Sequence, residues 1–149
     1  MNKENNKLKR LNYSISELGS VYHDIACKFG ISDSAMAILY GMSLMNGKCP
    51  LNDICRMSGI PKQTINSAIR KLENDEMIYL ENRNGKAKTV FFTEKGRDFA
   101  DKTVVHLISA ENRILKSWSE NDADLYIWLN QRYAEDLKKQ FNMIAEVEK

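Results

Sequence analysis

The chain contains 149 residues, 22 of them basic and 20 acidic, and this formal charge of +2 excludes a strongly basic tail for nucleic-acid binding. A hydrophobic fraction of 43% is ordinary for one packed domain, while only two prolines and seven glycines favour a mainly helical fold. The longest apolar run, residues 35–40, is far shorter than the roughly 20 residues of a membrane helix, and residues 1–10 lack the apolar segment of a signal peptide. We therefore expect a cytoplasmic protein with no membrane partner.

A long N-terminal helix is predicted by apolar residues at steps of three and four: Leu8, Leu11, Ile15, Leu18, Tyr22, Ile25 and Phe29. Such a stripe, about three heptads long, is typical of a helix packed lengthwise on another helix, either in the same subunit or in a second copy of the chain. Gly30 suits a left-handed residue that closes this helix. Ser32 or Asp33 can cap a second helix, which Gly47 ends and whose expected core face is Met36, Leu39, Met42 and Met45.

Two short helices joined by a tight turn are predicted next. Asn52 can cap the first of them, and the turn at residues 58–61 combines a glycine suited to left-handed backbone with a proline suited to a first helical turn. The second helix has a buried face at Ile65, Ala68 or Ile69, and Leu72. Its outer face is polar and basic: Lys62, Gln63, Asn66, Ser67 and Arg70. This arrangement indicates a helix-turn-helix.

A β-hairpin and two further helices complete the predicted elements. Residues 77–81 and 88–92 are β-prone and flank an Asn-Gly pair, which favours a tight hairpin turn. Thr93 can cap a long helix that carries Phe99, Val104, Ile108, Leu115 and Trp118. The polar residues 121–124 can cap a last helix with a second apolar stripe: Leu125, Trp128 or Leu129, Tyr133, Leu137, Phe141 and Ile144.

The small net charge conceals an uneven distribution along the chain. Residues 61–71 and residues 82–88 each contain three basic and no acidic residues, whereas residues 119–149 carry a net charge of −3. One end of the protein is therefore expected to face a polyanion. The major groove of DNA, about 12 Å wide, admits an α-helix. Gln63 and Asn66 can read adenine, Arg70 can reach guanine or phosphate, and Lys62 suits phosphate. The alternative is an ordinary solvated helix face, which the adjoining turn and hairpin make less favourable.

These segments resemble the MarR family of bacterial winged helix-turn-helix transcription regulators. The likeness runs through Leu51–Cys55, Gly59–Glu73 and Phe92–Gly96, and residues 61–73 are similar to the recognition helix of the family. The wing of the family usually carries an Asp-x-Arg pattern, where this chain has Asn84-Gly85-Lys86. We expect the contribution of this wing to DNA binding to be electrostatic.

The resemblance implies a single MarR-like domain over residues 1–149, mainly α-helical with a small β-hairpin wing. Residues 33–96 would form the winged-helix DNA-binding region, and residues 8–30 and 97–149 would form dimerisation helices. It further implies a homodimeric, sequence-specific repressor on a palindromic operator, released by a small-molecule effector. The expected contacts to double-stranded DNA are Lys62, Gln63, Thr64, Asn66, Ser67, Arg70, Arg83, Lys86 and Lys88.

Other functions are less well supported. A winged-helix module that binds proteins is the main alternative, since the same exposed helix can face a protein. The sequence contains no P-loop, dinucleotide fingerprint or H-E-x-x-H motif, so neither an enzyme nor a cofactor is expected. His23 and His106 are weak candidates for metal ligands, and no metal site is predicted. Oxidant sensing by Cys27, Cys49 or Cys55 is weighed against their more common role as small buried residues.

Overall fold

The computed structural model describes residues 3–82 and 88–147. These ranges are mainly helical, with one small sheet, as expected from the sequence. In chain order the elements are α1 (Lys3–Phe29), α2 (Asp33–Leu44), β1 (Lys48–Pro50), α3 (Leu51–Ser58), α4 (Lys62–Asn74), β2 (Ile78–Glu81), β3 (Thr89–Phe92), α5 (Glu94–Lys102), α6 (Val104–Ser117) and α7 (Glu120–Val147). In the described ranges, no helix combines the length and the apolar character needed to span a membrane.

The chain divides into two compact units, Met1–Leu107 and Ile108–Lys149. The first unit contains a continuous hydrophobic core in which α2 packs against α3, α4 and β1. Ile38, Leu39 and Met42 of α2 are fully buried there, because these residues recur on one side of a helix. Met45 was predicted to extend this face, but α2 ends at Leu44 and Met45 is exposed. That prediction was wrong.

The sheet is antiparallel, with strand order β1, β3, β2. Its predicted hairpin is confirmed: β2 pairs with β3, and Tyr79 lies opposite Phe91. The strand β1 on the other side of β3 was not predicted, because its three residues include a proline and are too few to show an alternating pattern. There Cys49 faces Val90, and both side chains are fully buried.

Several helix ends follow the predicted local chemistry. Gly30 closes α1 with a φ of 71°, and the Ser32 hydroxyl accepts a hydrogen bond of 3.2 Å from the backbone N–H of Ala35. The predicted Asn52 cap is wrong, since α3 begins at Leu51, directly after Pro50, and has no side-chain cap. The last helix is capped by Ser119, whose hydroxyl accepts from the N–H of Asp122, and not from within residues 121–124.

The long helix predicted after Thr93 is two helices. Thr103 separates α5 from α6 with φ −129° and ψ −90°, far from helical values. Its hydroxyl donates to the carbonyl of Phe99 at 2.6 Å, and its own carbonyl accepts from the N–H groups of His106 and Leu107. The apolar spacing continues across this break, which is why periodicity alone did not reveal it.

Thr93 joins the sheet to α5. Its hydroxyl donates to the carbonyls of Glu76 and Met77, at 2.6 and 3.1 Å, and accepts from the N–H of Gly96 at 2.9 Å.

Because one side chain serves both as a helix cap and as a link to the turn before β2, we expect Thr93→Val to lower the free energy of unfolding by about 1–2 kcal/mol. Thr93→Ser keeps the hydroxyl and should retain most of that stability. Urea unfolding of both variants measures the difference, and equal losses would contradict a role for the hydroxyl.

Candidate nucleic-acid interface

The turn between α3 and α4 is held by one serine and one glycine. The Ser58 hydroxyl donates to the carbonyl of Cys55 at 3.3 Å and accepts from the N–H of Ile60 at 3.2 Å. Gly59 adopts left-handed backbone, with φ 63° and ψ 8°. Pro61 then precedes the first residue of α4, and its carbonyl accepts from the N–H of Ile65. This turn fixes the direction in which α4 leaves α3, and so confirms the predicted helix-turn-helix geometry.

The buried face of α4 anchors the helix in the core of the first unit. Ile65, Ile69 and Leu72 are each at most 4% exposed, and Ala68 is 8% exposed. These positions match the predicted buried face. A helix held along its whole length in this way keeps its opposite side in a fixed orientation, which a recognition surface requires.

The opposite side of α4, from residue 62 to residue 70, carries no carboxylate. Its exposed members are Lys62, Gln63, Thr64, Ser67 and Arg70, and Asn66 is half-buried beside them. The Ser67 hydroxyl donates to the carbonyl of Gln63 at 3.1 Å, which leaves its oxygen free to accept. The structure thus brings together six of the nine residues predicted to contact DNA on one face of one helix.

The basic side chains on this face of α4 lack the partners that nearby basic side chains have within the described part of the chain. Arg56 of α3 pairs with Asp53, and Lys95 of α5 donates to the carbonyl of Asp75 at 2.8 Å. Within the described part of the chain, no ion pair involves Lys62 or Arg70. Their charges are therefore available to an anion outside the chain.

The predicted wing residues are only partly described. Lys88 is exposed immediately before β3, and its carbonyl accepts from the N–H of Leu51 at 2.9 Å. This bond ties the base of the wing to the start of α3. Arg83 and Lys86 lie outside the described residues, as does the Asn84-Gly85 pair.

The remaining candidate residues occupy other positions. His106 is exposed on α6, and Cys55 is half-buried on α3. Cys49 is fully buried, and burial, with a smaller contribution from the charge of Asp53, raises the pKa of its thiol. Among residues 3–82 and 88–147, no cluster of three or more His, Cys, Asp or Glu side chains has the geometry to hold a metal ion.

One cluster was missed by the sequence analysis, which treated its members separately. Cys27 and His23 lie one turn apart on α1, and Asp33 contacts the same histidine from α2. The spacing of four residues between His23 and Cys27 was a usable signal. The contact with Asp33 depends on how α1 and α2 pack and left no sequence pattern.

Comparison with known proteins finds one protein family that part of this chain resembles. A family model described as the MarR family matches residues 29–88, a range that includes α2, β1, α3, α4 and β2. Over these residues the chain is similar to the MarR family. The members of that family are transcription regulators. No curated protein sequence matches the chain.

Solved structures of MarR-family regulators share this fold. A regulator from Neisseria meningitidis superposes with a TM-score of 0.80 at 17% identity, covering 95% of this chain and 98% of the other. AbsC from Streptomyces coelicolor gives a TM-score of 0.73 at 17% identity, covering 93% and 97%. BpsR from Bordetella bronchiseptica, whose DNA binding is regulated by 6-hydroxynicotinic acid, gives 0.62 at 12% identity, covering 84% and 98%. These identities are low, so the likeness concerns the fold.

Proposed function

We propose that this chain is a homodimeric, sequence-specific regulator that inserts α4 into the major groove of double-stranded DNA. The observation that carries the proposal is the exposed face of α4, where cations, amides and hydroxyls are presented without a carboxylate on a helix anchored in the core. The similarity of residues 29–88 to the MarR family of transcription regulators supports it.

The side chains of this face fall into two chemical groups. Gln63 and Asn66 carry amides that can bind adenine through two hydrogen bonds, and Arg70 can do the same with guanine. Lys62, at the start of α4, is better suited to phosphate because its ammonium is a point charge. Lys88, exposed just before β3, is proposed to contact the DNA backbone beside the groove, together with Arg83 and Lys86.

A homodimer is supported by two helices with uncovered apolar side chains. On α1, Leu8, Ile15 and Leu18 are 47–52% exposed, whereas Ile25 and Phe29 at its end pack on the core. On α7 an exposed stripe runs at steps of four: Leu125, Leu129, Tyr133, Leu137 and Phe141. Exposed apolar surface of this extent is typical of a protein interface. A two-fold dimer would present two α4 helices to half-sites about 34 Å apart, which makes the proposed operator palindromic.

The proposed mode of regulation is repression relieved by a small molecule. A dimer bound at a promoter obstructs the polymerase. A ligand with higher affinity for the DNA-free dimer than for the DNA-bound dimer releases it from the operator. The 6-hydroxynicotinic acid response of BpsR and the organohalide sensing of a second structural relative support the proposal of an effector here.

The proposed roles of the α4 side chains are tested in two steps. Genomic DNA fragments that bind the unmodified protein are first isolated, and the affinity of each variant for them is then measured. Lys62→Ala is expected to weaken binding to all sequences alike, and to reduce the slope of log affinity against log salt by about 1 for each phosphate that is no longer neutralised. Gln63→Ala should instead relax base preference at one position, by about 1–3 kcal/mol. Fluorescence anisotropy over a salt series measures both effects.

The control variant is Lys102→Ala, which removes an exposed cation that pairs with Asp98 on α5. Its affinity and salt slope should match those of the unmodified protein. Binding that is insensitive to salt and to both α4 substitutions would contradict the proposal and favour the alternative of a protein-binding module.

A further inference from the structure

Three chemically reactive side chains meet at the junction of α1 and α2, within the first unit. The Nδ1 atom of His23 lies 3.0 and 3.1 Å from the two carboxylate oxygens of Asp33. The Nε2 atom of the same ring lies 3.5 Å from the Sγ atom of Cys27. We refer to these three residues as the Cys27 cluster.

In a neutral imidazole, these contacts give each ring nitrogen a different role. A carboxylate only accepts hydrogen bonds, so the tautomer that satisfies both contacts carries its proton on Nδ1 and donates it to Asp33. Nε2 then holds a lone pair directed at the Cys27 thiol, which donates its S–H. The carboxylate and the sulfur are at opposite ends of the ring, so the three groups do not converge on one metal ion.

A nucleophile beside a base, with the base oriented by a third group, is the arrangement that activates side chains for covalent chemistry. We propose that Cys27 is a nucleophilic modification site for carbon electrophiles of the α,β-unsaturated carbonyl class, with His23 as its base and Asp33 as a positioning residue. The inference concerns the thiol alone and does not rest on DNA binding.

The proposed addition conserves atoms and electrons. The thiol proton passes to Nε2 of His23, and the sulfur lone pair forms a C–S bond at the β-carbon as the C=C π bond breaks. The electron pair of that π bond moves to the enolate, and the imidazolium returns its proton to the α-carbon. The net change is the addition of S–H across the double bond, without an oxidant, a reductant or a leaving group.

Accessibility separates this thiol from the other two. Cys27 is exposed, and the side chains of His23 and Asp33 are 59% and 60% exposed, so a reagent reaches the cluster without disturbing the core. Cys49 is buried, and the raised pKa of its thiol keeps it protonated. Cys55 is half-buried, and among the described residues its sulfur has no histidine partner. The chain therefore contains its own comparison thiols.

The test is the rate of addition of N-ethylmaleimide to each cysteine of the full chain at pH 7, followed by peptide mass spectrometry. His23→Gln keeps a polar side chain but removes the base, and should slow addition to Cys27 by about tenfold or more. The rate at Cys55 should not change. His106→Gln removes an exposed helical histidine without a thiol partner and should leave both rates unaltered.

Substitutions at Asp33 distinguish a positioning role from a general effect on structure. Asp33→Asn should slow addition to Cys27 severalfold, and Asp33→Glu, which restores a carboxylate, should recover most of the rate. Equal Cys27 rates in the unmodified protein, His23→Gln and His106→Gln would overturn the proposal. So would parallel slowing at Cys27 and Cys55, since the effect of His23 would then not be specific to the thiol it contacts.

Discussion

Gly96→Ala is expected to lower the free energy of unfolding by about 3 kcal/mol, because a methyl group at this position has no room. A Cβ atom on Gly96 would lie 1.8 Å from the carbonyl oxygen of Met77 and 2.7 Å from its carbonyl carbon. Both are backbone atoms, and the Thr93 hydroxyl bonds the same Met77 carbonyl, so neither side can move away easily. To make room for the methyl group, α5 would have to move away from Met77, the residue before β2.

The measurement is urea and thermal unfolding of the variant, with a melting temperature roughly 10 °C lower than that of the unmodified protein. Gly19→Ala is the matched control, since Gly19 is also helical, but apart from the adjoining backbone of its own helix no atom lies within 4 Å of the place its new methyl group would occupy. That substitution should raise stability by up to about 1 kcal/mol, as alanine usually does within a helix. Equal effects of the two substitutions would contradict the close approach at Gly96.

Gly96 also illustrates which parts of the fold the sequence predicted. Features set by residues within about one helical turn were recovered, such as the Ser32 and Thr93 caps and the left-handed Gly30 and Gly59. The reason that Gly96 must lack a side chain is the carbonyl of Met77, which is distant in the chain, and no local pattern encodes that approach. The same is true of β1, which exists because it pairs with β3.

The candidate site divides in the same way. The outer face of α4 was predictable, since burial of Ile65, Ile69 and Leu72 at helical spacing dictates which residues face outward. The break at Thr103 was not, because apolar spacing continues through it. Nor was the contact of His23 with Asp33, which requires α1 and α2 to be packed. Local periodicity thus identified the proposed DNA-reading surface but not the Cys27 cluster.

Leu129→Glu is expected to dissociate the proposed homodimer and to weaken operator binding by about a hundredfold or more, because the two half-sites would no longer be bound together. Leu129 is the second of the five side chains in the exposed α7 stripe and is 49% exposed in the single chain. In a two-fold interface both subunits carry the substitution. Two carboxylates are then buried in an apolar contact, where neither has an ion-pair partner. Sedimentation velocity measures the dimer, and anisotropy measures the affinity for a palindromic operator.

Gln131→Glu adds the same charge to the same helix and is the matched control. Two residues further along, it lies about 200° around the helix from Leu129, away from the stripe. It is exposed, so it should leave both the dimer and the operator affinity unchanged. Because Leu129 is already half-exposed in the single chain, Leu129→Glu should preserve the helical circular dichroism of each subunit. A variant that stays dimeric at the concentrations of the unmodified protein would show that the α7 stripe is not the dimer interface.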